Sequence, residues 1–394
     1  ATWQSAGLSN VGIVSKLIID STNRILWASV LGNPRTTSTQ RGVFKSADMG
    51  VTWQQVHSVN SGAGAIDMVI NPANPQILYV SYFNRKRTSV LNSAYGNDGR
   101  VWQTTDGGLT WNILSNGLPN YPVSRIGLAI SKQNPNKLYA TVVDSSYNHE
   151  GLYMSINSGQ TWTKRAALNL PPNYTGGFGW YFGQVRVNPL NDNEVWLLGV
   201  ELFTSTNSGA NSWSRIFGGD GFQMIYDPIS PSIFYCETQN GNLYSFDTSA
   251  NFYNSNFDDG VSPNRNWDMP FIMSRFNRNK LYCLSDQIHV TNNGIIGSFS
   301  PVHTGILNNG TSTLSNNFGS ALCESKMDPN LLYAGTGDGN VWRVNPNTGV
   351  KTSISAGLPN RYVTVLNTSS TNTNLVSFGL SRFSKHSPPS PFIR

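Results

Sequence analysis

The segment Thr104-Thr105-Asp106-Gly107-Gly108-Leu109-Thr110-Trp111 decides the fold, because the chain repeats it. Three further copies align with it. They are Ser46-Ala47-Asp48-Met49-Gly50-Val51-Thr52-Trp53, Ser155-Ile156-Asn157-Ser158-Gly159-Gln160-Thr161-Trp162, and Ser205-Thr206-Asn207-Ser208-Gly209-Ala210-Asn211-Ser212-Trp213, the last with one extra residue. The tryptophans at 53, 111, 162 and 213 recur every 51 to 58 residues. A period near this length, holding four short strands, indicates the blades of a β-propeller. The local physics predicts a tight turn between the third and fourth strands of each blade. The Asp or Asn side chain accepts backbone N–H groups of its own turn, the Gly supplies a positive φ, and the Trp packs between blades. Asp48, Asp106, Asn157, Asn207 and, in a degenerate copy, Asp247 are therefore expected to be structural.

Working outward, degenerate copies stay in phase: Ser245-Phe246-Asp247-Thr248-Ser249-Ala250-Asn251-Phe252, Thr291-Asn292-Asn293-Gly294 ahead of Phe299, and Asn345-Pro346-Asn347-Thr348-Gly349. A second marker precedes most copies, a turn at Asn71-Pro72, Asn134-Pro135, Asn188-Pro189, Asp227-Pro228 and Asp328-Pro329 followed by an apolar strand such as Ile77-Leu78-Tyr79-Val80. Proline removes a ladder donor and starts the turn. The expectation is an all-β chain folded as one propeller domain over 1–394, with whole blades at roughly 12–59, 63–120, 122–170, 180–217, 221–258, 268–306 and 318–359. An eighth four-stranded blade takes Val363–Leu366, Leu375–Phe378 and Pro391–Arg394, and Thr2–Ser5 supplies its fourth strand. Both termini then close the ring and remove free sheet edges. Seven blades is the alternative if the degenerate copies merge.

Composition bounds the chemistry. The chain has 394 residues, 38% hydrophobic and 11% aromatic, enough for a sizeable core. Only 12% are charged, and Asn, Ser, Thr and Gly fill the surface instead, which suits a turn-rich protein working outside a cell. The net charge of +6 reflects few acids rather than many bases. The one tight basic cluster, Arg85-Lys86-Arg87, reads as a solvated loop tip, with an anionic partner as the functional alternative. Bases do not interleave with aromatics as in a nucleic-acid groove, so no nucleic-acid partner is expected. Cys236, Cys283 and Cys323 are odd in number and sit mostly in apolar runs, so they read as buried thiols. No Cys/His spacing suggests a metal, no cofactor motif is present, and no apolar run spans a membrane.

Beyond the repeat, Ser124-Arg125-Ile126-Gly127-Leu128-Ala129, Phe182-Gly183-Gln184-Val185-Arg186-Val187-Asn188-Pro189, Gly218-Gly219-Asp220-Gly221-Phe222, Asn266-Trp267-Asp268-Met269-Pro270 and Leu332-Tyr333-Ala334-Gly335-Thr336-Gly337-Asp338-Gly339 resemble secreted Asp-box (bacterial neuraminidase repeat) propellers of the sortilin-type and glycosyl-hydrolase-like group. The resemblance covers nearly the whole chain and implies fold and export to the extracellular space or cell surface. It implies no particular reaction. A sialidase would carry an Arg-Ile-Pro motif, and Arg125-Ile126-Gly127 lacks the proline and lies in the wrong part of the chain. Xyloglucan-specific endoglucanases of this repeat class place one catalytic Asp on each of two facing propellers, whereas a single propeller supplies half of such a cleft. Photosystem II assembly factors are similar propellers without catalysis.

Ligands of propellers sit on loops that enter the first strand of each blade. Three such loops stand out: the aromatic, glycine-rich Asn173–Phe182, then Gly218-Gly219-Asp220-Gly221, then Asn264–Asp268. They nominate Trp180, Tyr181, Gln184, Asp220, Trp267 and Asp268 as binding residues. Aromatic faces with interspersed carboxylates and amides are what sugar rings bind. The structural alternative has the tryptophans packing the wall and Asp220 capping its turn. The leading expectation is a non-catalytic recognition module taking a glycan or protein at the propeller mouth. A glycoside hydrolase would need Asp220 and Asp268 as carboxyls about 5–9.5 Å apart. A structural subunit of a surface assembly would use the blade rims.

Overall fold

The computed structural model describes residues 7–166, 169–219, 223–302, 305, 307 and 318–384, with backbone alone over 381–384. The chain divides into two compact units, residues 4–220 and residues 221–394. The first holds four four-stranded antiparallel sheets, over 13–57, 63–114, 126–164 and 184–218. The second holds three, over 224–254, 271–301 and 319–353, followed by the hairpin Arg361–Thr368 with Val376–Ser384. Strands pair in chain order throughout, so every sheet is a meander. The blade limits expected from sequence lie within a few residues of these sheets, apart from the connecting loops they included. The expected closing strands, Thr2–Ser5 and Pro391–Arg394, lie outside the described residues.

Within residues 4–220 the core is a set of seams between consecutive sheets. Trp111 packs with Trp27, Val43, Met68 and Val80, joining the first sheet to the second. Trp162 joins the second to the third with Tyr79, Leu114 and Tyr153, and Trp213 joins the third to the fourth with Tyr139, Leu152 and Val195. The expected inter-blade packing is thus found for Trp111, Trp162 and Trp213, whereas Trp53 packs with Ala28, Val30 and Phe44 of its own sheet; a fully buried aromatic contributes on the order of 2–3 kcal/mol. In residues 221–394, Phe299 takes the same place beside Tyr235 and Phe257.

The four repeated turns share one hydrogen-bond scheme, richer than an Asx-turn. In the second sheet Thr104 Oγ1 donates to Asp106 Oδ1 (2.8 Å) and accepts the Gly108 N–H (2.9 Å), while Asp106 accepts the Thr110 N–H (2.9 Å) and hydroxyl (2.6 Å). Ser46/Asp48/Thr52, Ser155/Asn157/Thr161 and Ser205/Asn207/Ser212 repeat it with small changes. Two successive positive φ angles are needed, not one: Met49 and Gly50, Gly107 and Gly108, Ser158 and Gly159, Ser208 and Gly209. The Asp247 turn departs because Ser245 Oγ donates instead to the Ile295 carbonyl, and Asp247 accepts the Ser249 N–H and hydroxyl.

A second repeat was hidden in the sequence. The residue closing each first strand caps the turn that follows it, accepting the N–H two or three residues on: Asp20, Asn71, Ser131, Asn188, Asp227, Ser274, Ser325 and Ser369. The proline marker was therefore misaligned. Pro72, Pro189 and Pro228 follow the cap directly, whereas Pro135 and Pro329 stand four residues after theirs.

Candidate functional site

Residues 4–220 bring together more than the sequence nominated. The connection between the second and third strands of the second sheet carries a short extra hairpin, Lys86–Arg87 with Asn92–Ser93. It is anchored by the Arg87 N–H on the Pro34 carbonyl at 2.8 Å. Arg85 is not the solvated loop residue expected: it is buried, donating to Lys86 O (3.0 Å), Asn92 Oδ1 (2.7 Å) and Ser93 O (3.0 Å). Its guanidinium lies over the indole of Trp180, 4.7 Å from the ring centroid. Burial lowers the Arg85 pKa, and the Arg87 charge adds to the shift.

Trp180 and Tyr181 sit on one helical turn, Gly179–Phe182, inside what sequence read as a loop. Gly179 is fixed there by close approach, since a Cβ would lie 2.6 Å from the Tyr147 carbonyl that its own N–H meets at 3.1 Å. Trp180 packs on Leu31, Phe83 and Ala94, and Tyr181 stands edge-on to it at 5.7 Å. Tyr95 and Phe178 are exposed on the same segments.

The turn leads into the first strand of the fourth sheet, which carries Gln184 and Arg186 on one face; Arg186 donates to Gln184 Oε1 at 2.5 Å. Arg125, just before the first strand of the third sheet, donates to the Tyr181 carbonyl at 2.8 Å. On the first strand of the second sheet, Asp67 is buried and saturated: it accepts Lys16 Nζ (2.6 Å), the Met68 N–H (2.8 Å) and the Leu128 N–H (2.9 Å). Burial opposes its ionisation, but the Lys16 charge and the Leu128 N–H outweigh burial and hold its pKa below the usual range. Burial lowers the Arg125 pKa, Asp67 opposing and Arg186 reinforcing.

In residues 221–394 the loop Asn264–Asp268 is pinned by its side chains. Asn264 donates to Asp286 (2.9 Å), Arg265 pairs with Asp258 (2.5 Å), and Asn266 donates to the Gly319 carbonyl (2.5 Å). The Met269 N–H meets the buried Glu237 carboxylate. Trp267 is left 48% exposed and Asp268 half-buried. Asp220 lies outside the described residues. Trp180, Tyr181 and Gln184 are thus neighbours on one turn and strand, while Trp267 and Asp268 belong to the other unit.

Arg125 and Arg186 were missed as site residues, and Arg85 was expected as a solvated loop tip with an anionic partner as the alternative. Strand alternation alone would have paired Gln184 with Arg186. The Arg85 contact is with a residue far along the chain and left no local signal. Chemically the assembly offers aromatic surface, amide and guanidinium groups. Ser285 and His289 Nε2 meet at 3.0 Å, but both are buried and Asp286 contacts the serine rather than the imidazole, unlike a catalytic relay. Among the described residues no His, Cys, Asp and Glu groups gather as a metal set, and no helix is long and apolar enough to cross a membrane. Burial raises the pKa of all three thiols, Cys323 to about 12.

Comparison with known proteins agrees with this architecture. A xyloglucanase of a Paenibacillus species is 23% identical over an alignment of 199 residues, with 43% of this chain and 19% of that enzyme covered. An ancestral GH74 enzyme superposes with a TM-score of 0.50 at 14% identity, over 90% of this chain and 51% of its own; this shows the fold alone. YCF48 bound to D1 peptide matches at a TM-score of 0.44 and 11% identity, over 78% of this chain and 87% of its own. The chain thus spans only part of the length of the enzymes it matches. Residues 2–213 match the DUF6242 β-propeller domain, and with four-stranded meanders on both sides of that limit the chain belongs to the DUF6242 β-propeller domain family.

Proposed function

We propose that this chain is a non-catalytic recognition propeller, exported or displayed at the cell surface, that binds a glycan at the Trp180–Tyr181 turn. The observation that carries the reading is the built character of that turn: Arg85 covers Trp180, Arg125 holds the Tyr181 carbonyl, and Gln184 and Arg186 stand beside them. Rigid aromatic and polar groups on strand-supported backbone suit saccharide recognition. The same reading takes the whole chain as one Asp-box propeller of eight blades closed by both termini. The eighth strand-end cap, Ser369, supports the count, since the hairpin that carries it repeats the earlier turns bond for bond. A glycan array run beside a sugar-release assay tests the function. Binding without release, weakened by Trp180→Ala, supports it, and release of sugar sinks it.

One observation favours a second reading. The similarity to a xyloglucanase favours the glycoside-hydrolase reading, for which Asp220 and Asp268 are the candidate carboxyls of the sequence. Release that disappears in Asp268→Asn would establish it. If neither binding nor release is found, a protein partner is the remaining class.

A further inference from the structure

We infer that Arg186 and Arg125 form a carboxylate-binding subsite beside the Trp180–Tyr181 turn, and that the glycan bound there is an acidic polysaccharide built of uronate residues. The inference rests on the recognition reading above and narrows its ligand.

The first strands of the four sheets in residues 4–220 lie side by side. Ser15 Oγ donates to the Ala65 carbonyl (3.0 Å), the Leu128 N–H to Asp67 (2.9 Å), and a Cβ on Gly127 would lie 2.7 Å from the Gly183 carbonyl. Along this row stand three cations, Lys16, Arg125 and Arg186. Apart from Asp20, which caps the turn at its strand's end, the row carries one carboxylate, Asp67, already committed to Lys16 and two backbone N–H groups. Asp67 acts on Arg125 as well as Lys16, so the excess positive charge falls towards the exposed Arg186. Arg125 donates one N–H to a backbone carbonyl, a partial charge only, and its sealed Nε makes no hydrogen bond to a described residue. Arg186 is exposed and, among the described residues, hydrogen-bonds the Gln184 amide oxygen and the Val185 carbonyl.

One carboxylate, Asp67, answers all three cations, so the row keeps an excess positive charge that an anionic ligand would balance. The planar fork of the exposed Arg186 matches a carboxylate bidentately, with Arg125 adding positive charge beside the Tyr181 carbonyl. Tyr181 and Trp180 adjoin them, and an aromatic face beside a carboxylate site fits a pyranose bearing a C6 carboxylate better than an acidic peptide, which needs no ring surface. Gln184 adds an amide for a ring hydroxyl.

The test compares polygalacturonate with its fully methyl-esterified form by titration calorimetry, on the wild-type chain, Arg186→Gln and Arg186→Lys. The expected result is binding of polygalacturonate, weakened roughly tenfold or more by Arg186→Gln and by esterification, partly kept by Arg186→Lys, with the unfolding midpoint unchanged. Equal affinity for both polymers, or unaltered affinity in Arg186→Gln, overturns the inference. Neutral polysaccharide binding that depends on Trp180 but not on Arg186 would overturn it while leaving the recognition reading intact. Arg186-dependent binding of polyglutamate in place of polygalacturonate would reject the ligand class. Binding of no polysaccharide at all would remove both readings.

Discussion

The Arg85 guanidinium lies 4.7 Å above the Trp180 ring, joining a hairpin inserted in the second sheet to the turn that opens the fourth. The contact is partly desolvated, because Arg85 is only 6% exposed and Trp180 is half-buried. An arginine in this setting gains more from an aromatic face than it would in water.

That relationship gives the first prediction. Arg85→Ala and Trp180→Ala should each destabilise the chain by about 2–4 kcal/mol, and a double-mutant cycle should return a coupling of about 1–2 kcal/mol. Denaturant unfolding measures both. Limited trypsin digestion should cut faster at Lys86 and Arg87 in either variant, since the hairpin loses the same anchor. Strictly additive effects would mean that the two side chains stabilise separate features.

Gly159 and Gly177 separate two reasons for glycine. Both have positive φ, +84° and +74°. A Cβ at Gly159 would lie 2.6 Å from Leu114 Cδ1 in the preceding sheet, whereas one at Gly177 meets nothing within 4 Å. Gly177→Ala should cost about 1 kcal/mol for backbone strain alone, and Gly159→Ala about 2–4 kcal/mol because overpacking is added. Equal costs would show that the seam behind Gly159 yields easily.

The parts of the fold legible in sequence were those written in rare residues. Tryptophan, glycine and Asp or Asn at fixed offsets marked Trp111, Gly108 and Asp106, and from them seven sheets could be placed. Ser131, Ser274, Ser325 and Ser369 do the same capping work as Asn71 and Asp227 but vanish among many serines. Proline misled because the turn accepts it at two positions, each with a compatible φ and no N–H required. For the site, Trp180, Tyr181 and Gln184 could be nominated by composition. Arg85 stood out only as part of a basic cluster; its burial against Trp180 depends on a ring almost a hundred positions away, and loops that pack on distant strands leave no periodic trace.

Histidine burial sets the first pH step. His57 stacks on Trp111 at 5.0 Å and hydrogen-bonds Tyr82 Oη at 2.7 Å, and burial lowers its pKa to about 4. His149 is lowered to about 4 by the same cause, with Glu150 opposing, and burial lowers His289 as well. Each is neutral in the folded chain where an unfolded histidine, pKa about 6.5, is charged. The stability they confer is therefore complete above pH about 6.5 and is lost as the pH falls towards 4. The unfolding midpoint should decline across that window, and His57→Gln should flatten part of the slope. A midpoint constant from pH 7 to 4 would show that these rings protonate without penalty.

A second step belongs to the repeated turns, which contain a built-in control. Asp48 and Asp106 are held at about 2, chiefly by the Thr52 and Thr110 hydroxyls, with the matching backbone N–H groups next. Asn157 performs the same role without a titratable group, and the threonine reverses its part: Thr110 Oγ1 donates to Asp106 at 2.6 Å, whereas Thr161 Oγ1 accepts from Asn157 Nδ2 at 2.9 Å. A hydroxyl rotates to suit either partner. Asp106→Asn should therefore fold normally at neutral pH. The carboxylate pKa is depressed on folding, so its stabilisation is present above the unfolded value near 4 and disappears as the pH falls towards 2. Asp106→Asn should be less sensitive to acid in that window, and Asn157→Asp should be more sensitive, its new carboxylate titrating near 2 by NMR. If Asp106→Asn lowers the unfolding midpoint at pH 7 as much as Asp106→Ala does, the charge itself is required there and the reversible-hydroxyl account of these turns fails.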